Sequence, residues 1–426
     1  MYEALVNAFR APDIRNRILF ILGMLVIVRL LAHVPVPGVD RTALEGLIGE
    51  NSFLQMMNLF SGGGMKNFSV IAMGVNPFIT ASIIMQLMTG VVPRLQQLSR
   101  EGEYGRQKIN SYTRRATVPL AILQAYGYLA LLHARDVVPD FDITSFNTLT
   151  QIITLTAGTV LLMWIGELIS ERGIGNGISF IIFAGIVAGL PSAVVTFMTS
   201  PDLAAGLAFA AVAIAGVAVI VYIQEGQRRI PIQYASRVRG RRMYQGGATF
   251  LPLRVNQAGV IPIIFAVSIL LFPVQMATYF SNSGGIIQDV ANVIITWLSQ
   301  GSPLYAVTFF LLVVGFTYFY TAFTFKPDET ADQLRKNGGF IPGIRPGAPT
   351  RDYLAKVVFR ISLAGAIFLG VVAVSPVIVG FFFRDSVLGS FALGGTSLLI
   401  VVSVVVETMK QLEAQLMMRN YEGFIK

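Results

Sequence analysis

Cysteine is absent from the 426 residues. Disulfides, thiolate metal centres and cysteine nucleophiles are therefore excluded. Charge is the second scarcity. Asp, Glu, Lys and Arg make up 13% of the chain, where a soluble domain carries roughly 25%. Apolar residues fill 54% of it, more than a water-covered surface accommodates. Histidine occurs only as His33 and His133, each isolated near the predicted outer end of a helix, without the neighbours a metal site needs. No Gly-x-x-x-x-Gly-Lys-Ser/Thr stretch exists to cradle a phosphate. No metal, cofactor or catalytic residue is expected, and the chain reads as a non-enzyme.

What is present is a series of long uncharged runs separated by short basic clusters. A bilayer core needs roughly 20 apolar helical residues per crossing. Runs of that order lie at Ile18–Val34, Asn76–Val92, Ala116–Leu132, Thr150–Ile169 and Ile178–Phe197. Others lie at Ala204–Ile223, Asn256–Phe280, Leu304–Phe325, Val357–Phe383 and Leu393–Val406. Ten crossings are predicted. The net charge of +9 suits nucleic acid in general, but its placement suits topology better. Arg and Lys collect before the first run and in the even-numbered loops, above all 224–254 and 326–356. By the positive-inside rule those loops and both termini face the cytoplasm. No cleavable signal peptide is expected, because the first run lacks a small-residue cleavage site.

One stretch breaks the pattern. Phe60–Met73 is glycine-rich and too short to span, and Asn76-Pro77 then restarts a helix, with Asn76 a candidate N-cap. It reads either as a half-helix dipping back from the outer side or as an external loop with one amphipathic turn. Five runs precede the Leu190–Pro201 region and five follow. Two odd-numbered halves in one chain lie inverted in the membrane, with boundaries placed at 1–198 and 199–426. The polar residues near mid-membrane are neutral, among them Thr80, Gln86, Thr89, Gln124, Asn256 and Ser403. Ion-driven carriers usually place carboxylates there.

Several strings resemble the SecY family, in the family's order along the whole chain. They include Asn76-Pro77-Phe78-Ile79-Thr80-Ala81-Ser82-Ile83, Arg100-Glu101-Gly102-Glu103 and Ser170-Glu171-Arg172-Gly173-Ile174-Gly175-Asn176-Gly177. Leu251-Pro252-Leu253-Arg254-Val255-Asn256-Gln257-Ala258-Gly259, Phe340-Ile341-Pro342-Gly343-Ile344-Arg345-Pro346-Gly347 and Gly394-Gly395-Thr396-Ser397 continue the match.

The resemblance implies an all-α membrane protein. Its ten helices form two inverted five-helix halves, a clamshell around an hourglass pore. It implies a constricting ring at Ile79, Ile83, Ile178, Ile182, Ile264 and Ile400, residues that sequence alone would read as packed or lipid-facing. Residues 60–73, with Gly62, Gly63, Gly64, Met65, Lys66, Asn67 and Phe68, correspond to a plug half-helix, although Lys66 and Asn67 make it fairly polar. Gln86, Thr89, Gln124 and Asn256 match the polar cluster of a lateral gate, or serve as plain interhelical packing. Arg241, Arg242 and Arg345 match sites where a ribosome or the SecA motor ATPase docks, although loop arginines need no partner to explain them.

The function so implied is a protein-conducting channel of the bacterial inner membrane. It would take signal sequences and preproteins outward and release hydrophobic segments into membrane lipids, with SecE and SecG as companion subunits. A secondary transporter of a small solute and an insertase without a continuous pore are the alternatives.

Overall fold

A bilayer offers no water to backbone groups, so apolar runs must close their hydrogen bonds within helices, and each of the ten runs falls on one. The computed structural model describes residues 11–39, 41–50, 54, 57–58, 61–133, 135, 137–138, 141–142, 145–199, 203–234, 237–239, 242–244, 248–280, 285–298, 302–382 and 394–422. The N-terminal part carries α1 (Pro12–Leu31), α2 (Arg41–Glu50), α3 (Asn76–Val91) and α4 (Pro93–Arg100). It continues with α5 (Glu103–His133), α6 (Phe146–Arg172) and α7 (Gly177–Thr199). After α8 (Leu203–Glu225) come α9 (Ile261–Phe280), α10 (Gly285–Leu298), α11 (Pro303–Thr324), α12 (Pro327–Lys336), α13 (Ala348–Phe382) and α14 (Gly394–Glu422).

Among the described residues, four stretches are long and apolar enough by themselves to cross a membrane: Glu103–His133, Phe146–Arg172, Pro303–Lys336 and Ala348–Ser375. The pair α3 and α4, bent by 98° at the Val92 break, makes a fifth when counted as one span. Several helices outrun their apolar cores. Helix α5 begins 13 residues before the predicted run at Ala116, and α14 continues to Glu422, well past Val406. Hydropathy marks where lipid lies, whereas the backbone ladder continues until a cap or breaker stops it.

Small corrections follow from breakers and caps. Asn76 is the first residue of α3 and Val75 caps it, one position earlier than the sequence suggests. Helix α9 starts at Ile261, leaving Asn256 in the turn before it. The bundle has an apolar outside: Leu19 of α1, Ile153 and Trp164 of α6, and Val307 and Leu311 of α11 are exposed large side chains. A water-facing bundle would place polar residues there.

The two long basic loops carry β-structure that the sequence reading missed. Strand β1 (Gln227–Tyr234) pairs antiparallel with β4 (Ala248–Arg254) in the register Ile230↔Leu251. Strand β5 (Gly339–Phe340) joins β1's other edge through Gln233↔Phe340. A short hairpin, β2 (Arg237–Arg239) with β3 (Arg242–Tyr244), lies between β1 and β4 in sequence. Ile230, Ile232, Leu253, Leu334, Ile341 and Leu354 form a separate small core under the sheet. The two loops are thereby one structural unit.

Candidate functional site

The ring residues stand on four helices. Ile79 and Ile83 are one turn apart on α3, so they share a face. Ile178 and Ile182 repeat that spacing on α7, Ile264 lies on α9 and Ile400 on α14. Ile79, Ile83, Ile182, Ile264 and Ile400 are all buried, and all belong to one contiguous apolar cluster. Helix α9 packs against α3, and α14 against α7. Ile178 packs against the same cluster from its edge. It is half-buried and rests on Gly166 of α6, where an added Cβ would come within 2.5 Å of Ile178 Cδ1. A narrow collar of branched aliphatic groups excludes water and therefore ions.

Residues 61–75 are not a half-helix. They run as consecutive turns, because Gly62, Gly63, Phe68 and Gly74 all take positive φ, which interrupts a right-handed helix. The segment is secured by directional bonds instead. Val70 N donates to Val34 O at 3.0 Å and Val36 N to Phe68 O at 2.9 Å, a strand-like bridge to the end of the first helical segment. Asn58 Oδ1 accepts from Lys66 N at 2.8 Å, Ser61 Oγ from Met65 N at 3.0 Å, and Asn67 Nδ2 donates to Ala32 O at 3.2 Å. The polar residues are thus accounted for: Asn67 ties backbone, and Lys66 is exposed while Met65, Phe68 and Ile71 turn inward.

Two glycines on the surrounding helices make room. A Cβ at Gly158 of α6 would lie 1.9 Å from Val70 O, and one at Gly62 would lie 2.8 Å from Gly185 Cα of α7. Arg29 lies in the last turn of α1. Its guanidinium donates to the carbonyl of Gly62. Upstream, Tyr128 Oη donates to Met57 Sδ at 2.8 Å.

At the seam that the resemblance marks as a gate, α9 packs on both α3 and α5. Three of the polar residues there bond locally. Thr89 Oγ1 donates to Met85 O at 2.7 Å and Gln86 Nε2 to Ser82 Oγ at 3.4 Å, both on their own helix. Asn256 takes both bonds, each 3.0 Å, to the backbone of Gly259, whose φ is +64°. Side chains this short find local backbone first. Gln124 is fully buried on α5. Beside the seam, Phe265 of α9 meets Phe316 of α11 edge to face at 5.9 Å. Every buried polar residue among the described ones is Ser, Thr, Asn or Gln, and no group of three metal-ligating side chains occurs among them.

On the basic side Arg345 is exposed in the turn that follows β5. Gly343 and Gly347 take φ +80° and +100° there, and Thr350 Oγ1 donates to Arg345 O at 2.8 Å, which fixes the turn. Arg242 opens β3, and Arg241 lies outside the described residues. Ion pairs join helices on this side: Arg114 to Glu167 at 2.6 Å links α5 to α6, and Lys410 to Glu225 at 2.9 Å links α14 to α8. Just past the tenth run, burial raises the Glu407 carboxyl above its usual range, against the opposing charge of Arg254.

Comparison with known proteins gives one consistent family. Residues 69–409 match the SecY family model. The chain is 45% identical to the protein translocase subunit SecY of Streptomyces galbus, covering all of both chains. It is 44% identical to that of Mycobacterium bovis, again over all of both. A solved structure described as a protein-conducting channel superposes with a TM-score of 0.63 at 18% identity, covering 93% of this chain and 91% of the other. A second structure, in which the SecY plug domain is described as stabilising the closed translocation channel and maintaining a membrane seal, gives 0.66 at 20% identity with the same coverages.

Proposed function

The chain belongs to the SecY family, and on that premise we propose how it works. It is a protein-conducting channel, the translocase subunit through which unfolded secretory chains cross a membrane and from which hydrophobic segments pass sideways into lipid. All ten apolar helices span, in two inverted halves, 1–198 and 199–426, that close like a clamshell on a central pore. The membrane is the bacterial inner membrane, with both termini cytoplasmic.

The observation that carries this reading is the joint burial of Ile79, Ile83, Ile182, Ile264 and Ile400 in one apolar cluster. Such a collar holds back ions by refusing water, and branched side chains that are only van der Waals partners part around any sequence. Residues 61–75 are the plug that covers it from outside. The seam of α9 with α3 and α5 is the lateral gate. A signal helix opens it by replacing apolar contacts, since the hydrogen bonds of Thr89, Gln86 and Asn256 are local and survive the parting.

The chain carries no nucleotide loop, so the driving force comes from partners. The sheet-braced loops bearing Arg242 and Arg345 dock the ribosome or the SecA motor, and SecE and SecG complete the complex. A small-solute carrier has no support from the family or from mid-span carboxylates. Reconstituted vesicles test the choice. Preprotein should enter only when motor and ATP are supplied, and Arg345→Glu should abolish that entry while leaving ion permeability unchanged. Uptake of a small solute without any motor would overturn the channel reading.

A further inference from the structure

Helix α10 (Gly285–Leu298) joins α9 to α11 and packs against both. Its side chains sort onto three faces. Ala291 is buried, with Ile294, Ile295 and Leu298 half-buried beside it. Ile286, Val290, Val293 and Trp297 form an exposed apolar stripe at helical spacing. Asp289, Asn292 and Thr296 form a third, exposed and polar stripe. A helix wholly in water does not leave Ile286 at 82% and Trp297 at 58% exposure in a continuous stripe. A helix wholly in lipid does not expose a carboxylate. Only a water–lipid boundary satisfies all three faces.

Two further observations name the occupant of the apolar stripe. The neighbouring first turns of α11 expose Leu304 and Val307, so the stripe continues the lipid-facing side of the bundle. Trp297 supplies the side chain enriched at bilayer interfaces. We propose that α10 lies in the plane of the outer bilayer interface with Ile286, Val290, Val293 and Trp297 immersed in lipid. This rests on the reading that α9 and α11 span the membrane. The helix has Asp289 as its only charge, so apolar burial alone holds it, and neither salt nor anionic lipid alters its depth. The outer end of α9, the seam helix, is thereby held at constant depth and moves sideways rather than along the bilayer normal.

The chain's two tryptophans make the test direct. Trp164, 56% exposed on α6, faces lipid within a span. The full chain is reconstituted as W164F, leaving Trp297, and as W297F, leaving Trp164. Vesicles carry lipid brominated near the headgroup end or near the chain termini, and acrylamide probes from water. Trp297 is expected about 5–10 Å below the headgroup boundary. It should therefore be quenched mainly by the shallow bromines and hardly by acrylamide, equally in zwitterionic and anionic vesicles. Quenching of Trp297 by acrylamide alone, mainly by the deep bromines, or by none of the three overturns the proposal. Trp164 unquenched by either lipid would instead overturn the membrane-spanning reading itself.

Discussion

The proposed collar and the plug segment belong to the same apolar cluster and are held by opposite means. The isoleucines of the collar have only packing, spread over four helices. Residues 61–75 have bonds with direction: backbone pairs to Val34 and Val36, side-chain ties from Asn58, Ser61 and Asn67, and the Arg29 guanidinium on Gly62. Undirected contacts re-form around any passing side chain, whereas directed ones define a single closed position. A seal that must yield to every sequence suits the first kind, and a lid that must return to one place suits the second.

Substitutions separate the two. The largest effect is expected at the collar. An amide buried in an apolar shell costs about 1–3 kcal/mol. Ile83→Asn should wet the constriction and raise ion conductance of closed channels by roughly tenfold or more, read by single-channel recording. Next is the cradle of residues 61–75. Gly158→Val places atoms where Val70 O now lies, and overpacking of about 1–3 kcal/mol should displace the segment. Leak should then rise about fivefold, with a lower thermal midpoint.

Arg29→Gln follows. Hydrogen bonds to charged groups contribute about 1.5–3 kcal/mol when buried. Arg29 is half-exposed, so about 1 kcal/mol and a severalfold rise in spontaneous openings are expected, with partial recovery in Arg29→Lys. The smallest effect belongs to Gln86→Leu, because Gln86 Oε1 has no partner among the described residues. Leak should stay unchanged, and gate opening by a weak signal sequence should become slightly harder. Equal effects at Ile83 and Gln86 would dissolve the distinction between seal and seam.

The helices were legible because lipid imposes both length and composition, and the basic loops because topology imposes their charge. The conformation of residues 61–75 was not legible. Gly62 and Gly63 signalled freedom, but a positive φ at Phe68 follows from the strand-like pairing to Val34 and Val36, which only the tertiary fold creates. The sheet left a usable signal, since Ile230 and Ile232 alternate with Arg229, Pro231 and Gln233. Its partner β5 lies about a hundred residues away and left none. Spacing put Ile178 on the face of Ile182, but gave no sign of its added contact with Gly166 of α6. The proposed gate residues were named by resemblance, but sequence could not say that Asn256 and Thr89 bond to nearby backbone. The Arg29 tie left no signal in the sequence, because its acceptor is a carbonyl, which every residue carries.

A cysteine-free chain allows the collar to be probed directly. A single Ile83→Cys variant and an Ile153→Cys variant, the latter on the lipid-exposed side of α6, can each be crosslinked to a preprotein arrested during motor-driven passage. The expected result is efficient crosslinking of the hydrophilic mature region from position 83 and none from position 153. Crosslinking from 153 but not from 83 would contradict a translocation path through the isoleucine collar.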